Sequence, residues 1–178
     1  MTEAAATPGA LTLIEALVNS LDLATGADEL DTEAGRAPFG LTEAGVADAR
    51  ELREALRSAA LVHAGHRVPG AVSPAELGRL LAAAPLLITV SDDGTAALRP
   101  ADPAPLASRV AAAVAAAVAD GTWARLKACE SDTCRWVYWD RSPAGRRRWC
   151  SMSVCGSRAK MRTYRARRTP PGAGRPGA

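Results

Sequence analysis

The chain has 178 residues, of which 48% are hydrophobic and 23% charged, with a formal net charge of +3. That length suits one domain or two small ones, and no stretch approaches the ~20 apolar residues that a membrane span needs. The small net charge conceals a split: residues 1–122 carry 8 basic and 16 acidic side chains, and residues 123–178 carry 14 basic and 3 acidic ones.

Met1–Ala10 has no basic residue, and Glu15 and Asp22 interrupt the apolar run that follows, so no secretory leader is legible and a cytoplasmic location is expected. Thr12-x-x-Glu15 reads as a capping box for a helix carrying Ile14, Leu17, Val18 and Leu21. The acid- and glycine-rich stretch to Gly40, with Asp28, Glu29, Asp31 and Glu33, reads as a solvated loop. Thr42 is expected to cap a long helix with an apolar stripe of Val46, Ala49, Leu52, Leu56, Ala59 and His63, and with Arg50, Glu54 and Arg57 on a solvated face. Ser73-Pro74-Ala75-Glu76 reads as a second capping box, ahead of Leu77, Leu80, Leu81 and Ala84. Leu86–Val90, an Asp-Gly turn at Asp93-Gly94, and Thr95–Arg99 predict a β-hairpin. Leu106, Val110, Val114 and Val118 mark an alanine-rich helix that stops near Gly121.

Nothing in this region reads as catalytic. It has no glycine-rich phosphate loop and no nucleophile elbow, so no enzyme is expected. His63 and His66 are three residues apart, but His63 lies on the apolar stripe and no third ligand is near in sequence, so a packed histidine is the better reading.

The C-terminal third holds the chemistry. Its four cysteines are the only ones in the chain, and they form two pairs of equal spacing, Cys129-x4-Cys134 and Cys150-x4-Cys155, separated by fifteen residues. Each short loop can turn two sulfurs onto one tetrahedral ion, so the pattern predicts a single structural Zn2+, and a reducing cytosol disfavours the rival reading of two disulfides. Trp123–Ala128 alternates like a strand, and Arg135–Asp140 like a second one with Trp136 and Tyr138 on one side and Val137 and Trp139 on the other. Ser142-Pro143-Ala144-Gly145 is turn chemistry, and Arg146-Arg147-Arg148-Trp149 is expected to return as a strand into Cys150. Ser151 is a candidate N-cap for a helix running to Arg168, on which Met152, Cys155, Ala159, Thr163 and Ala166 form a stripe suited to packing on the metal module. Trp136, Trp139 and Trp149 are expected to form that module's core.

The run Leu126–Arg167, with its cysteine pairs, its tryptophans and the sequence Cys155-Gly156-Ser157-Arg158, resembles over roughly residues 123–168 the CGNR zinc finger of bacterial transcription regulators, with serine where that family has asparagine. The N-terminal stretches LTLIEALVNSLDL and ARELREALRSAALVHAG resemble the ABATE domain that usually precedes this finger. The resemblance implies a DNA-binding regulator, stress- or ligand-responsive.

The expected fold is therefore α+β: a mainly helical N-terminal domain with one β-hairpin (1–121), a small treble-clef-like four-cysteine zinc finger with a C-terminal basic helix (123–168), and a disordered basic tail (169–178). The basic surplus around the cysteines points to a polyanion, with double-stranded DNA as the expected partner. Candidate contacts are Arg146, Arg147, Arg148, Arg158, Lys160, Arg162, Arg165, Arg167 and Arg168. The helical region is read as a sensor for a small-molecule effector or as a homodimerisation element, and its acidic surplus suggests that it could fold back on the finger and screen it. A zinc-stabilised adaptor for an acidic protein, or an RNA-binding module, are the alternatives.

Overall fold

A computed structural model describes residues 7–168. The expected basic tail, 169–178, and residues 1–6 lie outside the described residues. Helix α1 (Gly9–Asn19) buries Leu11, Ile14, Leu17 and Val18 completely, as their three- and four-residue spacing requires. The short helix α2 (Glu33–Arg36) follows a turn of 3-10 helix at Glu29–Asp31, and the long helix α3 spans Val46–His63. Helix α4 (Ala75–Leu81) leads to the antiparallel hairpin β1 (Leu86–Val90) and β2 (Ala96–Pro100), and α5 (Leu106–Ala119) closes the N-terminal region. Gly121, at φ +73°, ends α5 in the left-handed region as expected.

The hairpin forms in the expected place, with Ile88 across from Leu98 and Gly94 at φ +80° in its turn. It is poorly covered: Ile88, Val90 and Leu98 are 75%, 67% and 51% exposed.

The cysteine-bearing region starts with one turn of 3-10 helix at Trp123–Arg125, where a strand was expected. Strand β3 (Leu126–Ala128) then pairs antiparallel with β4 (Val137–Trp139). The expected return strand at Arg146–Trp149 does not form. The partner of β4 is β3, so the hairpin encloses the first cysteine pair instead of following it. Residues 146–149 run beside the first cysteine loop, where the Glu130 N–H donates to the Arg148 carbonyl at 2.9 Å. A five-residue π turn (Met152–Gly156) leads into helix α6 (Ser157–Arg168).

The two regions share a core. In the β3–β4 register, Leu126, Ala128, Val137 and Trp139 lie on one face, and all four pack into the cluster built by α1, α3 and α5. Asn19 at the end of α1 grips β4 directly: its side-chain oxygen accepts from the Val137 N–H at 2.7 Å, and its amide donates to the Val137 carbonyl at 2.8 Å. The opposite sheet face carries Tyr138, which packs on the cysteines, and Lys127, which reaches Asp140.

Several local expectations yield to this packing. Helix α1 begins at Gly9 behind Pro8, so Thr12 is inside the helix and caps nothing, while Glu15 accepts from the Thr7 hydroxyl at 2.6 Å. Thr42 precedes a 3-10 turn (Glu43–Gly45) without a side-chain cap. Ser73 does accept from the Ala75 N–H, at 3.3 Å, but Glu76 turns to Arg79 instead of completing a box. The stripe of α3 is buried at Ala49, Leu52, Leu56 and Ala59 and half-buried at Val46 and His63, but of the expected solvated face Arg57 is only 4% exposed, and the neighbouring Arg53 only 3%. Arg53 binds Asp28 at 2.8 Å, which draws that residue of the acidic stretch out of solvent. Arg57 donates to the Val18 carbonyl at 2.8 Å and to the Arg135 carbonyl at 3.1 Å. His63 bonds the Leu126 carbonyl through Nδ1 at 2.9 Å and meets the Trp123 ring edge-on, so it is a packed histidine.

Candidate metal centre

The first cysteine loop is built by backbone hydrogen bonds. Cys129 N–H donates to the Trp136 carbonyl at 2.9 Å, and both Cys134 and Arg135 N–H donate to the Ser131 carbonyl at 3.0 Å. Closing the loop puts Arg135 at φ +50°, the one described non-glycine residue with positive φ. That conformation is costly for a long side chain. It is held by the Arg57 bond to the Arg135 carbonyl and by Arg135 itself, whose guanidinium donates to the Glu130 carbonyl at 3.2 Å.

The second pair comes from the entry to α6. Ser151 caps the turn as expected, accepting from the Val154 N–H at 3.3 Å, and Cys155 is buried one step further on. Gly156 sits in a tight spot: a Cβ there would lie 2.9 Å from the Met152 sulfur, which is free to swing away, and 3.3 Å from the Trp149 ring. Ser157, at the position of the family's asparagine, donates to the Met152 carbonyl at 3.1 Å.

All four sulfurs lie within 4.8 Å of one another, and Cys134–Cys150 and Cys150–Cys155 are each 3.7 Å apart. Those separations exclude disulfides, and no cysteine is bridged. They fit a tetrahedral ion, because Zn–S bonds of about 2.3 Å place thiolates about 3.8 Å apart. Cys150 and Cys155 resist ionising by themselves. Burial, and then the neighbouring Cys129 and Cys134 sulfurs, push Cys150 well above its ordinary value, and burial heads the causes that lift Cys155 to about 11. Cys129 alone moves down: burial opposes this, but hydrogen bonds from the Cys150 and Ser131 backbone outweigh it. Four crowded sulfurs of this kind take a divalent cation to become four thiolates.

Residues 125–168 match the CGNR zinc finger family. The C-terminal region is thus a CGNR zinc finger, and Cys129, Cys134, Cys150 and Cys155 are the clustered residues that would hold its one zinc ion. The match does not extend to the helical N-terminal region. No curated protein sequence is similar enough to the chain to stand as a relative.

A buried ion pair anchors the arginine-rich loop of the finger. Asp140, with no exposed surface, accepts from Lys127 Nζ at 3.0 Å, from the Ser142 N–H and hydroxyl at 3.0 and 2.7 Å, and from the Arg147 N–H at 2.9 Å. Burial works against its charge, but the Ser142 and Lys127 bonds prevail and hold the carboxyl down at about 2. Lys127 also donates to the Gly145 carbonyl, which closes the Ser142–Gly145 turn from inside.

The candidate nucleic-acid residues divide into two groups. Arg147 is committed to the finger itself: its guanidinium lies 4.8 Å from the Tyr138 ring centroid and donates to the Cys150 carbonyl at 2.6 Å. Arg148 is paired with Glu130 and lies over Trp149, yet stays 63% exposed. Arg146 is exposed on the loop, and Arg158, Lys160, Arg162, Arg165, Arg167 and Arg168 are all exposed on α6. The predicted packing stripe of α6 is not used beyond its start: Ala159 is half-buried, and every later residue is exposed. Among the tryptophans, Trp149 packs at the cysteines and Trp139 on the N-terminal core, whereas Trp136 is 42% exposed and forms no core.

The residues that the sequence reading missed are Asn19, Arg57, Lys127 and Asp140. Asp140-x-Ser142 is a local turn signal that could have drawn attention to Asp140. The other three act through partners that no local pattern reveals.

Proposed function

We propose that the chain is a zinc-dependent DNA-binding transcription regulator that presents helix α6 to duplex DNA. The observation that carries this reading is the helix itself: twelve residues with six basic side chains, no acidic one, and solvent around all of it past Ala159. An exposed, acid-free cationic helix rooted in a rigid zinc module is an electrostatic complement to phosphate. Among the described residues the acidic N-terminal region docks on the finger chiefly through the Leu126 and Val137 face of its sheet, which leaves α6 exposed past Ala159.

The N-terminal region, 1–121, is an ABATE-like sensor or dimerisation element in this proposal. A cleft of about 410 Å3 lined by Leu41, Ala49, Leu52, Leu80 and Leu106 supports the effector role. The exposed apolar face of the β1–β2 hairpin supports a second copy of the chain.

The test is selection of zinc-loaded protein against a randomised duplex pool at physiological salt, followed by a salt titration on the enriched sequence. An enriched motif is expected, with affinity falling by about 0.9 log units per log unit of salt for each phosphate neutralised. Saturable binding to an acidic protein partner, with none to any duplex, would overturn the proposal in favour of an adaptor.

A further inference from the structure

Helix α6 is not uniformly basic around its circumference. Ala159 is its only residue that is not exposed, so Ala159 marks the side facing the finger. At about 100° per residue, Ser157, Met161, Tyr164 and Arg168 fall within about 40° of the opposite, outermost line. Lys160 and Arg167 lie about 80–100° to one side of Ala159, and Arg158, Arg162 and Arg165 about 60–120° to the other. The surface follows this division. One groove along the helix is lined by Arg158, Met161, Arg162 and Arg165, and a second by Lys160, Tyr164 and Arg167 with Arg148 and Trp149 at its outer wall; Arg162 borders both.

The outermost ridge therefore carries one basic residue, Arg168, against two on one flank and three on the other. Met161 is 50% exposed and Tyr164 52%, with no apolar neighbour that would cover them from within α6. Arg168 lies 5.4 Å from the Tyr164 ring centroid and donates to its hydroxyl at 2.5 Å, which fixes the ring on the ridge and occupies that guanidinium.

We infer that α6 enters the major groove of DNA ridge-first, with Met161 and Tyr164 against the base edges and the two cationic flanks on the phosphates of the two strands. The inference rests on the DNA-binding reading above. A helix with its side chains is about 10–12 Å across, and the major groove is about 12 Å wide, so a helix seated there meets phosphate walls on both flanks at once. Positive charge on both sides of a ridge whose single cation, Arg168, is turned onto the Tyr164 ring suits that position. A helix lying across one strand would need a single basic face. Apolar and aromatic side chains at the groove floor favour contact with the thymine 5-methyl group. Sequence preference then comes from Met161 and Tyr164, and the arginines supply affinity.

The experiment uses the full zinc-loaded chain and the duplex enriched by the selection. In Met161→Ala/Tyr164→Ala, the affinity ratio between that duplex and a scrambled one should fall at least about 5-fold while the salt slope stays within error. Lys160→Ala and Arg162→Ala should each lower the salt slope by about 0.9 and leave the ratio unchanged. Replacing the thymines of the enriched site by deoxyuridine should weaken the unsubstituted protein more than the Met161→Ala/Tyr164→Ala variant. Zinc stoichiometry and circular dichroism confirm that each variant is folded. If the ridge variant keeps full discrimination while Arg162→Ala loses it, the arginines read the bases and the inference is overturned, with DNA binding still standing. If the unsubstituted chain binds no duplex, the DNA-binding proposal falls first and takes this inference with it.

Discussion

Replacing Asn19 with alanine tests whether helices and finger are one cooperative structure. Asn19 is the last residue of α1, and its side chain completes both the N–H and the carbonyl of Val137, a residue of the finger with no exposed surface. Alanine leaves both backbone groups without a partner. One buried unsatisfied group costs about 1–3 kcal/mol, and Asn19 itself is half-buried, so water recovers part of the loss. The net destabilisation is about 2–4 kcal/mol, the sum for two such groups less that recovery. For a chain of this length each kcal/mol moves Tm by about 2–4 °C, so a fall of about 5–15 °C is expected. The assay is calorimetry of the zinc-loaded protein, with zinc release followed through a chromophoric chelator over the same temperatures. Because Leu126, Ala128 and Val137 belong to the same core as α1 and α3, unfolding of the helices and release of zinc should shift together. A change in Tm below about 2 °C would refute the reasoning, since it is smaller than the shift one lost kcal/mol gives in a chain of this size. Zinc release that stays put while the helices melt earlier would refute it too.

Two further outcomes follow from the site and its support. Cys134→Ser removes one of four thiolates, and structural zinc supplies on the order of 10 kcal/mol to folding. Bound zinc should drop from one equivalent to none, and the cooperative melt should be lost from the finger; retention of one equivalent would contradict the four-thiolate centre. His63 is held below its ordinary value of 6.5 chiefly by burial, with the Lys127 charge adding to this and the Leu126 carbonyl opposing it. The unfolded chain therefore binds a proton that the folded one refuses. Stability is fully present above about 6.5 and is lost as pH falls below that value towards the folded pKa. Denaturant titrations between pH 7.5 and 5.5 should show this fall, and His63→Gln should make it shallower; identical pH slopes for the two proteins would exclude His63 as its source.

The metal centre was legible from the chain alone because its ligands are local. Two cysteines at a spacing of five, twice, constrain the loops around one ion whatever surrounds them. The helical stripes of α1 and α3, the β1–β2 hairpin and the Ser151 cap were legible for the same reason: each depends on periodicity or turn chemistry within a few residues. On α5 the expected stripe is buried at Leu106 and Val110 only, since the core takes Ala113 and Ala117 and leaves Val118 58% exposed. What failed were the statements about what lies outside an element. Arg57 has the spacing of a solvated face and is buried, because the finger's first loop docks on that side of α3 and supplies the Arg135 carbonyl. Arg146–Trp149 alternates like a strand, but β4 has no edge to offer it, since one edge is paired to β3 and Asn19 takes the Val137 groups on the other, and the Lys127–Asp140 pair holds the intervening loop in a turn. The net charge of residues 123–178 announced a basic module, yet only burial separated Arg147, locked over Tyr138, from the arginines that α6 leaves in solvent. The sequence by itself determined the zinc ligands, the element types and the charge of the C-terminal helix, because those follow from bonds made within a few residues. Tertiary structure decided that finger and helices share one core and which cations remain available, because an apolar sheet face and a buried guanidinium find their partners 39 to 118 residues away.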